Sequence, residues 1–155
     1  MNMEGPKNAE STASFTFPNV EMERGEIERV AVEFAETDPA VFTTQLVERS
    51  KGAGLITMSE EMWSTLENTD SYDIPSGDWE AVEHHSAAGH SEAPRDWQKL
   101  KSKMENGESL DAPIICHKAG RFHLVSGNTR LMVARALGQI PQVLLVNMDQ
   151  IINRE

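Results

Sequence analysis

The tightest constraint on this chain lies between Ala112 and Val146, where strand, turn and helix signals follow one another closely. Ala112 to His117 is an apolar run that reads as a buried strand, Lys118 to Gly120 as a turn, and Arg121 to Val125 as the returning strand of a hairpin. Ser126-Gly127-Asn128-Thr129 then leads into a helix from Arg130 to Leu137 that Gly138 terminates. After Pro141, Gln142 to Val146 forms a last apolar strand. A hairpin followed by a helix and a third strand specifies an α+β fold.

Upstream the signals are mainly helical. Asp96 to Asn106 carries Trp97, Leu100 and Met104 on one side, with Lys99, Lys101 and Lys103 largely on the others. Asp38 caps a helix with Pro39 at its first position, and Phe42, Leu46 and Val47 share a face that runs towards Gly52. Ser59 caps another, with Glu60 and Glu61 in its first turn and Met62, Trp63 and Leu66 as an apolar stripe. Between Val20 and Glu36 the pattern fits two periods. Ile27, Val30, Ala31 and Phe34 recur at helical spacing, while Val30, Val32 and Phe34 alternate as a strand would. Helix is the expectation there. Residues 68–93 read as a long loop broken by a short helix from Asp78 to His85, and residues 1–18 as a loose tail. The expected organisation is a tail over 1–18, a mainly helical extension with a long loop over 19–89, and a small α+β domain over 90–150.

A length of 155 residues suits one domain with a tail. With 25 acidic against 14 basic residues the formal net charge is −11, which repels a nucleic-acid backbone at long range and argues against non-specific DNA coating. Arg95, Lys99, Lys101 and Lys103 form a local basic cluster, which reads as a solvated helix face. Cys116 is the only cysteine, so no intramolecular disulfide and no thiolate-rich metal cage can form. A reducing cytoplasm is the expected location. No apolar run reaches the roughly 18 residues that a membrane span needs, and no secretory signal is read at the N-terminus.

Chemistry concentrates where strand gives way to helix at Ser126 to Arg130. A helix that starts directly after a strand leaves its first backbone N–H groups outside the helical ladder, with the positive end of the helix dipole behind them. An anion fits there. Gly127 can adopt a backbone conformation closed to other residues, and Asn128 or Thr129 can cap the helix or bond a phosphate oxygen. Arg130 adds a fork of donors matched to phosphate oxygens. The plainer alternative is a capped helix start with Arg130 paired to a surface carboxylate.

Taken in order, Ala112-Pro113-Ile114-Ile115, the run Phe122 to Leu131, Ala134-Arg135-Ala136-Leu137-Gly138 and Ile140-Pro141-Gln142-Val143 resemble the ParB/sulfiredoxin superfamily over about residues 90 to 148. Members show a helix, a strand with Pro near its start, a hairpin, a Gly-x-x-Arg turn, a helix ending in Leu-Gly and a closing strand after Pro. Pro94-Arg95 is similar to the Pro-Arg before the first helix of ParB N-terminal domains. The resemblance implies nucleotide phosphates at the turn, and activities ranging over CTP hydrolysis, ATP-dependent sulfinic acid repair, serine kinase activity and DNA nicking. Fold does not choose among these. Departures narrow them. Sulfiredoxins place a reactive Cys where this chain has Asn128, partition proteins have Glu and Arg where it has Asn128 and Thr129, and many stand-alone relatives have Asp in place of Ser126. Sulfinic acid repair, CTP hydrolysis and a DNA-clamp role are each disfavoured on those residues.

The leading expectation is therefore a protein that binds ATP or another nucleoside triphosphate with Mg²⁺ for phosphoryl transfer or hydrolysis. Ser126, Gly127, Asn128, Thr129, Arg130 and Arg95 would contact the nucleotide, and Arg130 and Glu92 would be catalytic. Glu92 enters through its place before the first helix, near the catalytic Glu of kinase members. The alternatives are a ParB-like DNA nuclease, and a non-catalytic regulatory module with a protein partner. Of the histidines, His84, His85, His90, His117 and His123 lack the second strict pair that a zinc set requires, and no structural metal is expected. Trp63, Trp79 and Trp97 mark core, with Trp79 also placed to cover a base.

Overall fold

The hairpin expected after Ala112 forms one side of a four-stranded mixed sheet, seen in a computed structural model that describes residues 15–34, 38–87 and 96–149. In chain order the elements are β1 (Phe15–Thr16), α1 (Arg24–Glu33), α2 (Pro39–Ser50), β2 (Leu55–Thr57), α3 (Glu60–Thr65), α4 (Trp79–Ala87), α5 (Trp97–Glu105), β3 (Leu110–Asp111), β4 (Ile114–Lys118), β5 (Arg121–Ser126), α6 (Asn128–Leu137) and β6 (Gln142–Asn147). The sheet runs β2-β6-β4-β5, with β4 and β6 parallel and the other pairs antiparallel. The α+β class read from the sequence holds.

Alternation along the strands sends side chains to two faces. Ile114, Cys116, Val125, Leu144 and Val146 pack with Ile27, Val30, Ala31, Phe42, Leu46 and Val47 of α1 and α2. Ile115, Leu124 and Val143 face the other way, onto Met62 and Trp63 of α3 and Leu131 of α6. The far side of α6 (Met132, Val133, Ala136) closes a third cluster with Val82 of α4 and Met104 of α5. The helices thus lie on both sides of one sheet.

Local rules explain most helix starts. Asp38 accepts from the amides of Ala40 and Val41, Ser59 from Met62 and Asp96 from Lys99. Three differences from the sequence reading have physical reasons. β2 belongs to the region read as a helical extension, yet it pairs with β6, so the core runs across the expected boundary near residue 90. Phe15 lies within the expected loose tail but is buried, and its strand pairs in parallel with β3. Strands of two or three residues are too short to carry a period. Finally, α6 begins at Asn128 rather than Arg130, because Gly127 is its N-cap.

β5 is an edge strand, and its open side is covered. Glu67 forms an isolated parallel bridge with His123, donating to Phe122 O at 2.9 Å and accepting from Leu124 N at 3.0 Å. Asn68 Nδ2 donates to Leu124 O at 2.8 Å. Capping an edge in this way removes a template for unwanted strand pairing. It also brings Asn68 and Thr69 to the end of β5, beside the turn.

Candidate functional site

Antiparallel register places Ile114 opposite Ser126, so Pro113, just before β4, meets Gly127, just after β5. Gly127 has φ 108° and ψ 19°. A Cβ built on it would lie 2.6 Å from the Pro113 Cβ and 2.8 Å from its Cα. Only glycine fits, on both counts. The conformation expected of Gly127 from sequence is present, and its Cβ side is taken up by Pro113.

Leu131 N donates to Gly127 O at 3.0 Å. The amides of Asn128, Thr129 and Arg130 therefore precede the α6 ladder, at the positive end of its dipole. Around them opens a pocket of about 400 Å³. One wall is Leu124, Val125, Ser126, Gly127, Asn128 and Arg130, with Asn68 beside them. The opposite wall is Glu23, Glu26 and Arg29, at the start of α1 and just before it.

The residues singled out by sequence are treated differently by the fold. Ser126 lines the pocket, and its Oγ is buried without a hydrogen-bond partner among the described residues. Asn128 Oδ1 does not cap α6; it accepts from Thr69 Oγ at 2.5 Å and Asp70 N at 3.3 Å, tying the turn to the edge bridge. Thr129 is only 4% exposed and is not on the pocket lining. As part of α6 it shares the face of Met132, Val133 and Ala136, which explains its burial. Arg130 lines the pocket and donates from Nη1 to the Asp111 carbonyl, which anchors the guanidinium beside the turn. Glu92 and Arg95 lie outside the described residues.

Glu23, Glu26, Arg29 and Asn68 were not legible as site residues. Glu23, Glu26 and Arg29 recur every three positions, which puts them near one another on a helix. Such spacing usually marks a solvated flank, and Arg29 does pair with Glu26 at 3.3 Å. The packing of α1 on β5 is what makes that flank a wall.

Arg130 and the α6 amides thus share one cavity with two carboxylates, one of which, Glu26, is already paired with Arg29. Such a site suits a ligand with phosphate oxygens at the turn and a cation or hydroxyl group at the glutamates. Among the described residues no three His, Cys, Asp or Glu side chains converge to hold a metal unaided. Mg²⁺ is commonly held by one or two carboxylates together with substrate phosphates, and Glu23 with Glu26 fits that mode.

Other candidates are occupied elsewhere. His85 faces Asp70 at 3.4 Å and His117 faces Asp149 at 3.6 Å. Cys116 is fully buried, and that burial pushes its thiol up to about 12, which keeps it protonated and inert. Trp79 stacks on Trp97 with ring centres 5.5 Å apart and Lys101 over its ring, and it does not line the pocket at the turn. No helix among the described residues is long and apolar enough to cross a membrane. Against known proteins, no family model matches the chain, and neither a curated protein nor a solved structure matches it.

Proposed function

We propose that the protein binds a nucleotide, ATP or another nucleoside triphosphate, through its phosphates at the Ser126–Arg130 turn, and that it uses Mg²⁺ for phosphoryl transfer or hydrolysis. The observation that carries this reading is one pocket that brings Arg130 and the first amides of α6 together with Glu23, Glu26 and Arg29 of the other wall. Bound Mg²⁺ would neutralise charge on the phosphates. Glu23 and Glu26 would hold it, and either carboxylate could instead take the proton of an acceptor hydroxyl. Arg130, steadied by Asp111, would keep its position as charge develops on the transferred group. The order of hairpin, Gly-x-x-Arg turn, helix ending in Leu-Gly and closing strand supports membership of the ParB/sulfiredoxin superfamily as part of the same proposal.

A thermal-shift screen of ATP, CTP and GTP with and without Mg²⁺, on wild type and Arg130→Ala, tests this. A ligand at about 100 times its Kd stabilises the native state by about 2.7 kcal/mol. The expected result is a rise in Tm for wild type that Arg130→Ala largely loses; no rise with any nucleotide sinks the reading. Turnover of the bound nucleotide would separate the enzyme from a regulatory module. The module is the second reading, favoured because the Asn128 side chain is committed to Thr69 and Asp70. Mg²⁺-dependent nicking of plasmid DNA, absent in Arg130→Ala, would instead indicate the nuclease.

A further inference from the structure

His123 lies on β5 with its side chain only 5% exposed, and both ring nitrogens point at carboxylates. Nε2 is 3.1 Å from Glu33 Oε1, in the last turn of α1. Nδ1 is 3.2 Å from Glu67 Oε1, on the bridge that covers the sheet edge. An ionised carboxylate has no proton to give, so either neutral tautomer of the ring would set a lone pair against one of the two oxygens. Only the imidazolium suits both. The Glu33 contact is not aligned as a directed hydrogen bond, so it attracts only when the ring carries a proton.

A second observation agrees. A carboxylate in the last turn of a helix opposes the helix dipole, and α1 has no basic residue in its last turn to compensate Glu33. The remaining groups around the ring are settled. Arg121 grips Glu67 through Nε and Nη2, at 3.1 and 2.7 Å from Oε1, and that hydrogen bond, more than His123, holds the Glu67 carboxyl below its usual range. Cys116 on β4, the register partner of His123, keeps its proton. The Phe34 ring centre lies 5.0 Å from that of the imidazole, and the Arg121 guanidinium sits over the Phe34 ring at 4.7 Å. When the ring loses its proton, Glu67 still has Arg121. Among the described residues, Glu33 is the carboxylate left without a counter-charge at the ring.

We infer that His123 is a proton-operated clasp that seats the C-terminal end of α1 on the sheet, and so sets the position of the helix that forms the second wall of the pocket. The clasp is closed while the ring holds its second proton and opens when that proton leaves. It does not depend on what the pocket holds.

Nuclear magnetic resonance of the full chain between about pH 5 and about pH 8, the range in which imidazole changes charge, tests the clasp. In wild type, the His123 ring and the backbone amides of Arg29, Val32, Glu33 and Phe34 should titrate with one midpoint. Amide exchange in the last turn of α1, corrected for intrinsic rates, should quicken about two- to fivefold across it, as for loss of one partly exposed ion pair. Glu33 is 45% exposed, so Glu33→Gln should fold, and in it the amide response should vanish. Amides of α1 that stay still while the ring titrates, or that move equally in Glu33→Gln, would overturn the clasp. Failure of ATP to bind would count against the pocket's assignment alone.

Discussion

The wall of the pocket made by Ser126 to Arg130 and the wall made by α1 are held in place by different physics. The first is fixed by close packing. Gly127 sits against Pro113 with no room for a methyl group, Leu131 behind it is fully buried, and Asn128 is tied to the edge bridge. The second is held by Ile27, Val30 and Ala31 on its inner side, but its pocket-facing groups are long charged side chains, and its far end meets the sheet through the Glu33–His123 contact. A closely packed turn shares the pocket with an adjustable wall. Pre-positioned donors suit binding of phosphate oxygens, whereas adjustable carboxylates can follow a metal ion or an acceptor group.

The largest effect should come from breaking the packed wall. Gly127→Ala combines strain at positive φ with overlap on Pro113 and should cost about 3 kcal/mol in urea unfolding. Gly138→Ala is the control. It shares positive φ (73°) but meets only Ser76 Oγ at 3.5 Å, so it should cost about 1 kcal/mol. Equal costs would mean that the Pro113 contact does not hold the turn.

Next in size, Arg130→Ala should weaken nucleotide binding by about 1.5 to 3 kcal/mol, the range for hydrogen bonds to charged groups, as read by calorimetric titration. A smaller but more discriminating change is expected at the adjustable wall. Replacing Glu23 and Glu26 together by Gln should lower affinity for ATP with Mg²⁺ about tenfold while raising it for ATP alone, since the same carboxylates hold the metal and repel the bare phosphates. A change of one sign in both conditions would remove the metal from the account.

The smallest effect concerns the edge bridge. Arg121 holds the Glu67 carboxyl below its usual range, so the unfolded chain binds a proton there more readily than the folded one. Stability from this pair is present above the unfolded value and is lost as pH falls through the folded one. Acid unfolding of Arg121→Ala should therefore show a shallower loss on the acid side than wild type. Superimposable pH dependence in the two proteins would contradict it.

How much of this was readable from sequence divides along the same line. The packed wall follows from local signals: apolar strands on either side of Lys118 to Gly120, then Gly127, Gly138 and Pro141 as punctuation. Even so, the start of α6 was misplaced by two residues, because the capping role fell to a glycine at positive φ rather than to Asn128 or Thr129. Thr129 is accordingly a buried residue of α6. The adjustable wall was not readable, since Glu23, Glu26 and Arg29 look like any solvated helix flank until α1 is laid against the end of β5. Asn68 was likewise invisible: its place depends on the Glu67 bridge, a contact between residues 56 apart in sequence. Glu92 and Arg95 came from family resemblance, and they lie outside the described residues.

The most direct test of the central claim is a titration of ¹⁵N-labelled protein with ATP and Mg²⁺, following backbone amides. The account predicts that the largest shifts fall on Gly127 to Leu131, with smaller ones on Glu23, Glu26 and Arg29, and that Arg130→Ala abolishes both sets. Saturable shifts centred elsewhere, with the turn amides unmoved, would contradict it.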